Sequence, residues 1–137
     1  NKRDYVAALI NIDPIVVGKW AEDRGISYTT YMDLSAKPEV AGLAKEQVAE
    51  INSRAEKEHF RIKRFAILYK LLDMDDSELT KTGKIRRQFV REKYQNLYDA
   101  LYDESISEKE VEAFFQYQDG QSTTVKTKIS FYTMEGF

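Results

Sequence analysis

Glu78-Leu79-Thr80-Lys81-Thr82-Gly83-Lys84-Ile85-Arg86-Arg87 runs without a break into Gln88 to Tyr102, and the change of character between the two halves decides how the chain is read. The first half is polar, rich in threonine and interrupted by glycine. The second carries Val90, Tyr94, Leu97 and Leu101 at the spacing of one helical face. A loop feeding straight into an amphipathic helix over Gln88 to Tyr102 is predicted. Lys84 stands at the junction, where a side chain can leave the body of the domain and reach an anion held by something else.

Upstream, Tyr5-Val6-Ala7-Ala8-Leu9-Ile10-Asn11-Ile12 is a nearly continuous apolar run, which suits a strand buried on both faces. Asp13-Pro14 then supplies an N-cap and a first-turn proline for a helix from Ile15 to about Arg24. Val16, Val17, Trp20 and Ala21 form its inward face, and Gly25 stands where a left-handed C-terminal residue is wanted. Trp20 is the only tryptophan and is read as core rather than as a stacking platform, because it falls on that apolar face. Ile26 to Lys37 reads as a surface connection with a short helical turn. Pro38 opens a second helix through about Glu56, with Val40, Leu43, Ala44, Val48 and Ile51 inward and Lys45, Glu46, Glu50 and Arg54 wet.

Arg61 to Tyr69 alternates basic and apolar residues before turning wholly apolar, as a strand does on passing from an exposed edge into a core. The acidic stretch around Asp73, Asp75 and Asp76 lacks the glycine and distant glutamate of a calcium loop and reads as a solvated connection. Beyond the long helix, Val111 to Tyr117 and Val125 to Tyr132 flank Asp119-Gly120 as a hairpin. The tail from Thr133 to Phe137 carries no functional signal. The resulting order is strand, helix, helix, strand, loop, helix, hairpin. This is an α+β domain with a small mixed sheet packed with helices and a C-terminal hairpin.

Composition narrows the function. With 137 residues, 42% of them hydrophobic, one domain with a real core is expected. A net charge of -2 from 21 basic and 23 acidic residues argues against a general polyanion surface, so nucleic acid is not an expected partner. The absence of cysteine excludes disulfides and thiolate metal sites, and the single histidine, His59, makes a poor metal ligand alone, so no metal site is expected. No apolar run approaches the ~20 residues of a spanning helix. A cytoplasmic location, or a peripheral one at a membrane, is the expectation.

Gly83-Lys84 invites comparison with a phosphate-binding P-loop, but Glu78 stands where the earlier glycine is needed and Ile85 where the motif needs Ser or Thr. What remains is a hydroxyl-bearing loop of Thr80, Thr82 and Gly83 presenting one ammonium. Such a lysine can stabilise negative charge growing on a phosphate or carboxylate oxygen without transferring a proton, although spacing alone favours an ordinary surface lysine.

The pattern Glu78-Leu79-Thr80-x-Thr82-x-Lys84-x-Arg86-Arg87, then Val90-x-x-Lys93-Tyr94 and Ala100-Leu101-Tyr102, resembles the carboxy-terminal signature of AMP-forming acyl-CoA synthetases, specifically the long-chain fatty acid CoA ligases. Tyr5 to Ile10 with Asp13-Pro14, Trp20-Ala21, Gly25, Pro38-Glu39-Val40 and Ile62-Lys63-Arg64-Phe65 resemble the same enzymes in the same order. The resemblance implies that residues 1–102 are the mobile C-terminal lid domain, with 103–137 an extension whose hairpin packs on it. It implies that Lys84 is the catalytic lysine of adenylation, supported by Thr80, Thr82 and Gly83. ATP with Mg, a fatty acid and coenzyme A would be substrates of the full-length enzyme, bound chiefly by an N-terminal domain absent from this chain, and none is expected on the fragment. Lys81 replaces the loop proline usual in that family and Gly83 a bulkier residue, and both substitutions are expected to loosen the loop. Two other readings stand beside it. One is an acyl-adenylating ligase for a different carboxylic acid. The other is a free-standing interaction module with Arg61, Lys63, Arg64, Lys84, Arg86, Arg87 and Arg91 as a basic face.

Overall fold

The computed structural model describes residues 5–57, 60–74, 76–116 and 119–134. His59, Asp75 and the end of the chain beyond Met134 lie outside them. A three-stranded mixed sheet has β1 (Val6–Ile10) and β5 (Tyr132–Thr133) at its edges and β2 (Ile62–Ile67) in the middle, parallel to β1 and antiparallel to β5. Between β1 and β2 the chain forms α1 (Pro14–Asp23), α2 (Tyr31–Ser35) and α3 (Pro38–Ser53). After β2 come α4 (Arg87–Lys93) and α5 (Gln95–Leu101). β3 (Glu108–Gln116) and β4 (Ser122–Ser130) pair as an antiparallel hairpin, turned through Gly120 at φ 85°.

Successive residues of a strand face opposite sides of the sheet, and the two sides carry separate cores. Ala8, Ile10, Phe65 and Ile67 pack with Val17, Ala21, Leu34, Val40, Ala44 and Val48 of α1, α2 and α3. Ala7, Leu9, Ala66 and Leu68 pack with Val90, Tyr94, Leu97, Ala100 and Leu101 of α4 and α5, joined by Ile129 of β4 and Phe131. The chain is therefore α+β, with its sheet covered by helices on both sides.

Several local expectations hold for the physical reasons that prompted them. The Asp13 side chain accepts from the amides of Ile15 and Val16, Pro14 opens α1, and Gly25 adopts φ 69° just past its end. Trp20 packs against the first core, with the Arg24 guanidinium 4.7 Å from its ring centroid.

Other expectations need correction. β1 is covered on both faces but only half buried, because it is an edge strand with one side unpaired. Val16 and Ile51 are exposed, since their turns rotate them off the sheet-facing stripe that Val17, Val40 and Val48 occupy. The helix expected over Gln88 to Tyr102 is two helices, interrupted at Tyr94 with φ -106° and ψ 28°. The last strand expected through Tyr132 is also divided. β4 stays with the hairpin, and β5 crosses to pair with β2 at Arg64 and Phe65.

The expectation for β2 fails in one respect that matters for function. Arg64 is 1% exposed rather than part of a basic face. Its guanidinium donates to the carbonyls of Ala100 (2.9 Å), Leu101 (3.0 Å), Asp103 (2.8 Å) and Ile106 (2.6 Å), and its Nε to Thr133 Oγ1 (3.1 Å). These carbonyls lie at the end of α5 and in the turn after it, where positive charge is favoured; those of Ala100, Leu101 and Asp103 also accept from the Asp103 amide, the Tyr5 hydroxyl and the Ile106 amide. One cation thus ties the central strand to the end of α5 and to β5. Arg64→Met should strip all four carbonyls of their charged donor, leave that of Ile106 without another donor among the described residues, and destabilise the fold by about 1–3 kcal/mol. A lowered urea midpoint with little change in slope is the expected result.

Candidate functional site

The segment from Glu78 to Arg86 is a small hairpin. Leu79 and Ile85 form an antiparallel bridge, the Thr80 amide donates to the Lys84 carbonyl at 2.8 Å, and the Gly83 amide to the Thr80 carbonyl at 2.9 Å. This is the pattern of a three-residue connection closed by a left-handed residue, and Gly83 at φ 83° supplies it. Gly83 was expected to loosen the loop; here it is the residue that lets the turn close. Thr80 Oγ1 accepts from the Lys84 amide at 3.1 Å and lies 3.1 Å from Thr82 Oγ1, so both threonines brace the turn.

Lys84 is exposed at the tip, and among the described residues its ammonium makes no ion pair or side-chain hydrogen bond. Beside the hairpin's base is a cleft of about 520 Å³, floored by Leu9, Leu68, Ile85 and Val90 and edged by Arg87 and Arg91.

At the root of the hairpin is a group to which the sequence reading assigned no role. Glu78 is fully buried. One carboxylate oxygen accepts from the Lys70 ammonium and from the Asp73 amide at 3.0 Å; the other accepts from Lys93 at 2.9 Å and from the Tyr94 hydroxyl. Lys70 also pairs with Asp76. Burial opposes ionisation of Glu78, but the contacts from Lys70, Tyr94 and Lys93 outweigh it and hold the carboxyl below its ordinary 4.5. Burial likewise works against the Lys70 ammonium, yet Asp76 and Glu78 carry its pKa above the usual lysine value. The Tyr94 hydroxyl is pushed up by burial and then by Glu78. The signal that was available is a tyrosine on an otherwise apolar stripe, whose hydroxyl must find a partner once buried. The partners of Glu78 come from two segments distant in sequence from each other, the loop of Lys70 and Asp73 and the junction of Lys93 and Tyr94, so no spacing rule joins them.

The basic face does not assemble as a unit. Arg64 is internal, Lys63 pairs with Glu104 at 3.1 Å, and Arg86 donates to the Ser77 carbonyl at 3.0 Å while lying over Phe89. Among the described residues no group of three or more His, Cys, Asp or Glu side chains is arranged to hold a metal ion.

Against known proteins, the chain aligns with two curated relatives from Mycobacterium tuberculosis, strains CDC 1551 / Oshkosh and ATCC 25618 / H37Rv, both named "Putative fatty-acid--CoA ligase fadD11". Each is 34% identical over 100 residues, which is 73% of this chain and 17% of the relative. The likeness is to an acyl-CoA ligase. The chain spans about a sixth of the length of the relatives it matches, so the aligned part is a fragment of theirs. No family model matches the chain, and no solved structure does.

The cluster around Glu78 makes stability depend on pH with a definite sign. Because the folded carboxyl titrates below its unfolded value, its contribution is complete above about pH 4.5 and is lost as pH falls through the folded value. Urea midpoints at neutral pH and at about pH 3.5 should therefore differ strongly in the wild type. Glu78→Gln should start lower at neutral pH and show a shallower loss on acidification; an unchanged acid slope would remove Glu78 from the account.

Proposed function

We propose that this chain is the C-terminal lid portion of an AMP-forming long-chain fatty acid CoA ligase, and that Lys84 is the cation it delivers to the adenylation step. The observation that carries the reading is the exposed Lys84 ammonium, without an ion pair among the described residues, on a braced hairpin in a segment whose threonine and lysine pattern resembles that family's terminal signature. The likeness to a protein named as a fatty-acid–CoA ligase supports the same class of chemistry.

In that reaction a fatty-acid carboxylate oxygen attacks the α-phosphorus of ATP, the bond to the β-phosphate bridge breaks, and acyl-AMP and pyrophosphate form. Negative charge on the α-phosphoryl oxygens must be held while this happens, and a positioned ammonium supplies that electrostatically. Lysine suits the task as a compact charge on a long stem. Mg²⁺ enters with ATP, and the N-terminal part of the protein holds the nucleotide and the acid. In the second half-reaction the coenzyme A thiol attacks the acyl carbonyl and AMP leaves, after the lid has turned another face to the site. Thr80, Thr82 and Gly83 act by shaping the turn under Lys84. The chain length of the acid is a property of a pocket outside this chain, and an acyl-adenylating ligase for another carboxylic acid would use Lys84 identically. No helix among the described residues is long and apolar enough to cross a membrane, and a cytoplasmic setting with peripheral contact to membrane-derived fatty acid fits the proposal.

In the full-length enzyme, Lys84→Ala should slow pyrophosphate release by about 100-fold or more while leaving thioester formation from supplied acyl-adenylate much less affected. Equal loss in the two half-reactions would refute the role given to Lys84. The 137-residue chain alone should neither bind ATP tightly nor consume fatty acid, and turnover by it would contradict the assignment as a lid.

A further inference from the structure

We propose that Glu78 is a positioning residue for Lys84, the buried root through which the hairpin is fastened to the domain so that its ammonium is presented along one direction. The proposal rests on the reading of Lys84 as the adenylation cation and adds the means by which a small domain aims it.

The hairpin is short, and its own ladder is thin. Above Glu78 the two arms are joined by the Leu79–Ile85 bridge and by the bond from the Thr80 amide to the Lys84 carbonyl. Such a two-stranded element has little stability by itself. Its direction relative to the sheet must therefore come from what grips its base. At Glu78 that grip is concentrated in one residue.

The backbone of Glu78 donates to the Asp73 carbonyl and accepts from the Arg86 amide, both at 2.9 Å, so it belongs to the turn below and to the opposite arm above. Its side chain reaches Lys70, just after β2, and Lys93 and Tyr94 at the junction of α4 and α5. Four donors on two oxygens leave the carboxylate no freedom to turn. The residue before it, Ser77, is held at φ 63°, a left-handed backbone that a serine adopts only when its surroundings impose it. Ser77 is gripped in turn, its amide donating to the Met74 carbonyl at 2.9 Å and its carbonyl accepting from Arg86 Nη1 at 3.0 Å.

A buried carboxylate between two ammonium groups is a costly way to fill space, and an apolar side chain of similar volume is often at least as stable. What an apolar contact does not provide is direction. Charge-assisted hydrogen bonds to two separate segments, the loop after β2 and the junction of α4 and α5, fix the carboxylate plane, and Lys84 stands six residues further on in the same braced unit. Glu78→Gln keeps the shape but turns one end into a donor, which then faces either Lys70 or Lys93. The hairpin should remain but lose its fixed orientation.

The test pairs kinetics with a structural readout on the full-length enzyme. Single-turnover pyrophosphate release is measured for wild type, Lys84→Ala, Glu78→Gln and the double variant, and amide exchange is followed at Thr80, Gly83 and Lys84. Glu78→Gln should slow adenylation by about 10- to 100-fold with little change in KM for ATP, speed exchange at those amides, and add no further loss in the Lys84→Ala background. Thioester formation from supplied acyl-adenylate should be spared. Where Glu78→Gln does not fold, Tyr94→Phe, which removes one donor and keeps the ring, replaces it and should give a smaller loss with the same non-additivity. Losses that multiply in the double variant, or adenylation at the wild-type rate with exchange unchanged, would overturn the proposal. Adenylation that survives Lys84→Ala would instead overturn the function assigned to Lys84, and the exchange rates would then decide whether Glu78 anchors the hairpin.

Discussion

The alternation of side chains along β2 is the constraint from which the rest of the architecture follows. Phe65 and Ile67 look into the core shared with α1, α2 and α3, whereas Ala66 and Leu68 look into the core shared with α4 and α5. A strand that serves two cores must be central and apolar on both sides, and it must lie parallel to β1 because the connection between them is a helical crossover. Asn52 locks the start of β2 to the end of α3, its side chain both donating to and accepting from the Ile62 backbone at 2.9 and 2.7 Å.

Two buried charges then organise what lies on the second face. Arg64 spends its donors on carbonyls at the end of α5 and in the turn after it, adding a charged donor to those that the Tyr5 hydroxyl and the turn amides supply. Glu78 does the complementary work with acceptors, collecting Lys70, Lys93, Tyr94 and the Asp73 amide. Both are tolerated for the same reason: all three guanidinium nitrogens and both carboxylate oxygens have partners, so desolvation is offset by charge-assisted contacts. Their result is that the Lys84 hairpin rises from a rigid floor even though the tip itself is open to solvent.

That combination fits a part that delivers a group to a reaction centre more closely than one that holds a substrate. The cleft beside the hairpin is edged by arginines, and Lys84, exposed on its braced turn, is not among the residues that line it. On the proposed reading, the small domain contributes a charge at the moment it is needed and the larger remainder of the protein contributes the pocket. The hairpin of β3 and β4 sets Glu110 opposite Lys128 and Glu112 opposite Lys126, and its root, through Ile129, joins the core beneath α4 and α5.

Local chemistry in the sequence was sufficient for the helix starts, the Asp13 cap, the left-handed Gly25, the hairpin around Gly120 and the exposed position of Lys84. Each depends on neighbours a few residues away, and short-range sterics and capping act at that distance. The role proposed for Lys84 came instead from the resemblance of its surroundings to a family signature, since spacing alone favours an ordinary surface lysine. What only the tertiary structure decided were the facts that depend on distant partners: Arg64 turned inward by carbonyls 36 to 42 residues away, Tyr94 standing between two helices rather than within one, and β5 leaving the hairpin for the central sheet. Glu78 belongs with these. In the sequence it heads the stretch around Lys84 with nothing to give it a role of its own, and its burial follows only from Lys70, Lys93 and Tyr94 being folded around it, because a carboxylate can leave water only where donors from several elements already converge.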